Sequence, residues 1–198
     1  MINPITQKLP DFIEIGGKQI KIRTDFRIWI RASLLLYENI ELETKLIKLI
    51  KLCYIDIPPT LKGGIEGILL FLSGGESEKG KTKPNHKKPL FDFDADAGLI
   101  YATYLTEYGI DLTECNMHWY KFLALFNALP QECGFLKIVS YRGADLSKIK
   151  DKEQRSFIRR MKTKYALPDK RSEEEKEKSI ISELEGLFNF GGNSDKEN

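Results

Sequence analysis

The stretch TDFRIWIRASLLLYENIELETKLIKLIKLCY, residues 24–54, decides the fold class. In its first half, Phe26, Trp29, Ile30, Ser33, Leu34 and Tyr37 recur at spacings of three and four, the period of one helix face. Thr24 or Asp25 supplies the side-chain oxygen that caps the first free N–H groups. In its second half, Leu42, Leu46, Leu49, Ile50 and Cys53 form another stripe, with Glu43, Lys45, Lys48 and Lys51 largely outside it. Two amphipathic helices in succession bury their stripes on each other, so a mainly α architecture of helical bundle modules is expected.

Working outward, Phe12-Ile13-Glu14-Ile15 and Gln19-Ile20-Lys21-Ile22 are β-branched runs joined across Gly16-Gly17. Two glycines accept the positive φ of a type I′ turn, which predicts a small N-terminal β-hairpin. A lone hairpin is marginal, and the helix that follows is its expected support. Pro58-Pro59 breaks the chain and starts a third helix, ending near Ser73. Gly63, Gly64 and Gly67 each weaken that helix by about 1 kcal/mol relative to alanine, and close helix–helix approach is one use for them. Residues 1–73 therefore read as one module.

Residues 74–90 form a linker of glycine, serine, lysine and proline, apolar only at its last position. The second module spans 91–168. Phe91-Asp92-Phe93-Asp94 leads into a helix through Leu99, Ile100, Thr103, Tyr104 and Tyr108, which Gly109 ends. Asp111 or Thr113 opens the next, through Met117, Trp119, Tyr120, Leu123, Phe126 and Leu129 to Pro130. A shorter helix covers about 131–141. Residues 145–166 are strongly charged, with Ile149, Phe157, Ile158, Met161 and Tyr165 as a thin apolar stripe. From 169 to 198 the composition is that of a solvated tail, interrupted by Ile180, Ile181, Leu184, Leu187 and Phe188. That amphipathic patch has no core of its own, and folding on a partner or on this protein's own body is its simplest use.

The whole chain has 198 residues, 41% of them hydrophobic, and a formal net charge of only +2. Such a composition excludes a wholly disordered chain, and so small a charge supplies no global field toward nucleic acid or lipid. The runs Leu34–Leu36 and Ile68–Leu72 are far shorter than the roughly 20 residues of a membrane span. MINPITQKLPDF lacks a basic segment followed by an apolar one, so no signal peptide is expected. Three cysteines, Cys53, Cys115 and Cys133, show no framework spacing and suit a reducing compartment as buried small hydrophobes. A soluble cytosolic protein is expected.

Several patterns resemble chemistry. Gly75-Glu76-Ser77-Glu78-Lys79-Gly80-Lys81-Thr82 fits the phosphate-binding P-loop expression, with an apolar run before it. The mechanism needs a helix launched from Lys-Thr, and here Lys83-Pro84-Asn85-His86-Lys87-Lys88-Pro89 follows. Glu76 and Glu78 would also face phosphate, so the linker reading is preferred. Asp92, Asp94, Asp96 and Gly98 resemble a calcium loop, but the glycine falls at position seven instead of six, and Thr103 stands where the bidentate glutamate belongs. Acids completing the first turn of a helix are the better account. Cys115 and His118 could chelate a metal, yet a structural zinc site wants four ligands, and a hydrogen-bonded helical histidine is preferred. No metal site, no cofactor and no catalytic residue are expected. The basic set Lys148, Lys150, Lys152, Arg155, Arg159, Arg160, Lys162 and Lys164 is interleaved with Asp145, Asp151 and Glu153. It reads first as a solvated helix face, then as a surface for phosphate or an acidic protein.

Three passages, FDFDADAGLIYATYLTEYGIDL, MHWYKFLALFNALP and YRGADLSKIKDKEQRSFIRRMKTKYALP, resemble the "gene product fifteen" family of tailed bacteriophages. With the Phe26-x-x-Trp29 helix and the linker, the resemblance spans about 12–168. It implies a gene in the siphovirus tail-morphogenesis cluster, beside the tape-measure protein, where tail assembly chaperones lie. It further implies binding of the tape-measure and major tail proteins, self-association, action in the host bacterial cytoplasm and absence from the finished virion. It transfers no catalytic residue. Neither a membrane nor a nucleic acid is the expected partner. On this reading, the residues to inspect for partner contact are Trp29, Trp119, Tyr120, Phe126, Ile180, Leu184, Leu187 and Phe188. The rivals are a structural tail or tail-tip component, a nucleic-acid binder using the basic face, and a nucleotide hydrolase using the P-loop match.

Overall fold

Residues 3–75 and 89–168 are described by the structure, a computed structural model. They divide into two compact units, 3–75 and 89–168. Among the described residues there are seven α-helices and one two-stranded sheet, a mainly α fold with an N-terminal hairpin.

In the first unit β1 (Phe12–Ile15) pairs antiparallel with β2 (Lys18–Lys21), Ile13 opposite Ile20. Gly16 and Gly17 have φ of 59° and 75°, the mirror-image turn that a two-residue hairpin loop requires. Ile22, expected to end the second strand, instead forms a lone antiparallel bridge with Tyr54. Helix α1 (Phe26–Leu36) is capped by Asp25, whose carboxylate accepts from the Arg27 N–H at 2.9 Å. Its buried residues are Phe26, Trp29, Ala32 and Leu35. Helix α2 is Leu42–Cys53 and α3 is Leu61–Leu72, the latter capped by Thr60. Trp29 is fully buried, 4.3 Å from the Phe71 ring, and its indole N–H donates to the Arg23 carbonyl at 2.7 Å.

Two expectations are corrected here. Hairpin support comes chiefly from α3, reached much later in the chain, not from the helix that follows. Its three glycines make this possible. A Cβ on Gly63 would stand 2.5 Å from Ile15 Cγ2, and one on Gly67 would stand 2.7 Å from both Ile13 Cγ2 and Tyr54 Oη. Only Gly64 serves helix–helix approach, meeting Ile50 of α2 at 2.7 Å. Lys45, expected on the polar side, is buried: its Nζ donates to the Leu36 carbonyl at 2.9 Å, at the end of α1. A cation suits the negative end of a helix dipole, and the long stem packs as an apolar chain.

In the second unit α4 (Ala97–Tyr108) ends at Gly109, whose φ of 64° is the left-handed stop that reading the sequence placed there. Helix α5 is Trp119–Asn127, shorter than expected. Asp111 closes a turn instead, accepting from the Thr113 N–H at 2.8 Å and hydroxyl at 2.6 Å. The cap of α5 is His118, whose Nδ1 accepts from the Tyr120 N–H at 3.0 Å. That corrects its placement within a helix. Helix α6 is Gly134–Gly143; a 3-10 turn over Leu146–Lys148 follows, then α7 (Lys152–Lys164), capped by Asp151.

The core of this unit is aromatic. Phe122 stacks on Tyr104 at 5.0 Å and on Trp119 at 5.6 Å. Phe126 lies 5.3 to 5.9 Å from Phe91, Phe93, Phe122 and Phe135. At the start of α4, the buried Asp96 carboxylate accepts two bonds from Arg142 at 2.7 and 2.8 Å. Arg142 also donates to the carbonyls of Leu90 and Tyr165, joining the start of the unit, α4 and α6 to the end of α7. Among the described residues, no helix is long and apolar enough to cross a membrane.

Candidate interaction surfaces

Helix α3, LKGGIEGILLFL, carries only two charges, Lys62 and Glu66, in twelve residues. One face is spent on the core, through Ile65, Ile68 and Phe71. Away from that core, Leu61, Leu69 and Leu70 are 49%, 41% and 45% exposed, Leu61 at the start of the helix and on the opposite side from Leu70. Lys62 and Glu66 lie between Leu69 and Leu70 on the outer side, so the exposed leucines flank a pair of charges. The loop leading into it adds Ile55 and Ile57, the latter 89% exposed. This loop is pinned, because the Ile55 N–H donates to the Lys21 carbonyl at 2.9 Å and Pro58 is buried behind it. Arg23 reinforces the anchor by donating to the carbonyls of Lys51, Leu52 and Tyr54 at the end of α2. Ile57 is thus held outward on a braced backbone, and five large aliphatic side chains share one stretch, 55–70. Exposed large apolar residues gathered in one stretch are candidates for protein contact.

The C-terminal end of α3 bears on the P-loop match. The Gly74 N–H bonds to the Phe71 carbonyl at 3.1 Å and the Gly75 N–H to the Leu70 carbonyl at 2.9 Å, both glycines having positive φ. That is a Schellman stop. Ile68–Leu72, which would have to be a strand, is helix, and the first glycine of the match closes it; the rest of the match lies outside the described residues.

A second surface is α7. None of its thirteen residues is buried. It is held to α6 by Phe157, edge-on to Tyr141 at 6.1 Å, by Tyr165 stacked on Tyr141, and by Lys162 Nζ donating to the Ala144 carbonyl at 2.8 Å. Phe157 remains 41% exposed, with the Arg160 guanidinium over its ring at 5.7 Å. Lys164 lies over the Tyr165 ring at 5.2 Å. Just before α7, Asp145 accepts from the Ser147 hydroxyl and N–H, which holds its carboxyl below the usual range, helped by nearby Lys148.

The residues singled out in the sequence separate. Trp29 and Trp119 are buried and Phe126 is enclosed by rings, so these three serve the two cores. Tyr120 is half-buried, and burial pushes its phenol up to about 12. Ile180, Leu184, Leu187 and Phe188 lie outside the described residues. The exposed side chains of Ile55, Ile57, Leu61, Leu69 and Leu70 were not singled out in the sequence, although an excess of leucine and isoleucine was visible there. Among the described residues, no cluster of metal-ligating side chains is present.

A family model described as Bacteriophage Gp15 protein matches residues 5–167. No curated protein and no solved structure matches the chain.

Proposed function

Since the chain belongs to the Bacteriophage Gp15 protein family, we propose that it is a tail assembly chaperone that binds the tape-measure protein. In this reading it is not an enzyme. Several copies coat the tape-measure chain in the host bacterial cytoplasm, help recruit the major tail protein and leave before the virion is complete. The observation that carries the reading is the group of exposed aliphatic side chains on α3 and the braced loop before it, Ile55, Ile57, Leu61, Leu69 and Leu70. Amphipathic helices are bound by such groups through anchors at i, i+3, i+4 and i+7. Burying one leucine or isoleucine contributes about 1.5–3 kcal/mol, so two or three anchors suffice for reversible, chaperone-like binding.

The test is a pull-down of the tape-measure and major tail proteins with the wild type and with Ile57→Glu/Leu70→Glu. Capture by the wild type, lost in a variant whose melting temperature is unchanged, supports the reading. Capture of neither protein by the wild type defeats it. Mass spectrometry of purified virions supplies the other arm. A chaperone is absent there, and stoichiometric presence would make the protein a structural component instead.

A further inference from the structure

From the order of side chains along α7, we infer that this helix pairs antiparallel with α7 of a second copy of the chain, across a twofold axis between Phe157 and Arg160. Glu153, Phe157, Arg160 and Lys164 recur at spacings of four, three and four, the seam along which two helices pack. All four are exposed, whereas Arg155, Lys162 and Tyr165, which tie the helix to its own chain, are only part-exposed. Phe157 touches Tyr141 and still remains 41% exposed. Turned end for end, the seam is its own complement. Glu153 comes opposite Lys164 of the second copy and Phe157 opposite its Arg160, each contact occurring twice, as a twofold axis requires. A guanidinium and this ring already attract one another within one chain, where Arg160 lies 5.7 Å over Phe157. The seam is flanked by Gln154 and Met161 on one edge and by Ser156 and Thr163 on the other. In an antiparallel pair each edge meets itself, so no like charges are set together there. Lys152 and Arg159 fall roughly 110–130° round the helix from the seam, outside the contact.

The same pattern disfavours other occupants. Two parallel copies would set Glu153 against Glu153 and Lys164 against Lys164, with their helix dipoles aligned. A phosphate backbone or a wholly acidic segment would meet the cations, but it would also meet Glu153 at one end of the seam. Helix α7, at thirteen residues, is about 20 Å long. The contact is therefore smaller than a standard interface, and the dimer is weak and reversible. It stands apart from the tape-measure reading, because pairing is a property of this chain alone and uses other residues than those on α3.

Sedimentation velocity of the full-length chain at low salt, from about 10 to about 500 µM, tests it. A monomer–dimer equilibrium is expected, its dissociation constant rising about tenfold or more in ~1 M salt, where the screening length is ~3 Å. Glu153→Lys and Lys164→Glu each set like charges opposite one another, so each variant alone should stay monomeric. An equimolar mixture of the two should dimerise again, because each chain then carries at both ends of the seam the charge that the other lacks. Circular dichroism checks that both variants keep their helices; the two side chains replaced are exposed. A wild type that stays monomeric up to about 500 µM would overturn the proposal. Dimers that persist in the single variants would place the contact elsewhere, and single variants that remain monomeric when mixed would deny the pairing; either result overturns it.

Discussion

Alanine normally stabilises a helix interior relative to glycine, by about 1 kcal/mol. At Gly67 the sign is expected to reverse. An added Cβ would stand 2.7 Å from Ile13 Cγ2 and 2.7 Å from Tyr54 Oη. Neither neighbour can yield cheaply. Ile13 is buried beneath the hairpin, and Tyr54 is buried with its hydroxyl donating to the Gly64 carbonyl at 2.8 Å. Overpacking of this kind costs about 1–3 kcal/mol, and losing the Tyr54 bond adds about 1. After the propensity gain, Gly67→Ala should destabilise the first unit by about 1–3 kcal/mol. For a unit of this size that lowers the melting temperature by about 5–15 °C. Urea unfolding and thermal melts followed by circular dichroism give both numbers. Gly98→Ala is the control, because nothing lies within 4 Å of its added Cβ, and it should be neutral to stabilising. If Gly67→Ala raised stability as Gly98→Ala does, the packing of the hairpin on α3 would be wrong.

Three more outcomes follow from individual contacts. Arg142→Met leaves the buried Asp96 carboxylate without its bidentate partner and should cost about 3–5 kcal/mol in chemical unfolding of the second unit; Arg142→Lys should not restore it, since an ammonium cannot supply the fork. Lys45→Met removes the buried donor to the Leu36 carbonyl and should cost about 1–3 kcal/mol, read as a lower urea midpoint and faster amide exchange at the end of α1. Burial pushes the Cys53 thiol up to about 12, so at pH 8 almost none is thiolate, the nucleophilic form. Its alkylation should therefore follow unfolding of the first unit, checked by mass spectrometry across a urea series; modification of Cys53 in native buffer as fast as in the unfolded chain would contradict its burial.

Much of this architecture was readable from local chemistry. Gly16-Gly17 has one cheap use between two β-branched runs, and Gly109 one at the end of an aromatic helix. Asp25 could be narrowed only to itself or Thr24, because both carry a capping oxygen. What escaped was long-range. Gly63, Gly64 and Gly67 announced a close approach, but nothing local says that a hairpin fifty residues earlier fills two of the three gaps. Lys45 was assigned to solvent because a charge is usually solvated; only the neighbouring helix end makes its burial favourable. The start of α5 was misplaced because Asp111 and Thr113 look like a cap and do form a capped turn, whereas His118 is a less frequent capping residue. The aromatic residues were ambiguous for a related reason. Large rings on a helix stripe serve a core as readily as an interface, and Trp29, Trp119 and Phe126 serve cores. Which leucines of α3 stay exposed became legible only once the hairpin and the core had claimed their parts of the helix.

The most direct test is co-expression with the tape-measure protein, followed by size-exclusion chromatography with light scattering. A soluble complex of several copies per tape-measure chain is expected, with the tape-measure protein insoluble alone and the complex lost in Ile57→Glu/Leu70→Glu. A tape-measure protein that stays insoluble beside a well-folded, monomeric partner would contradict the account.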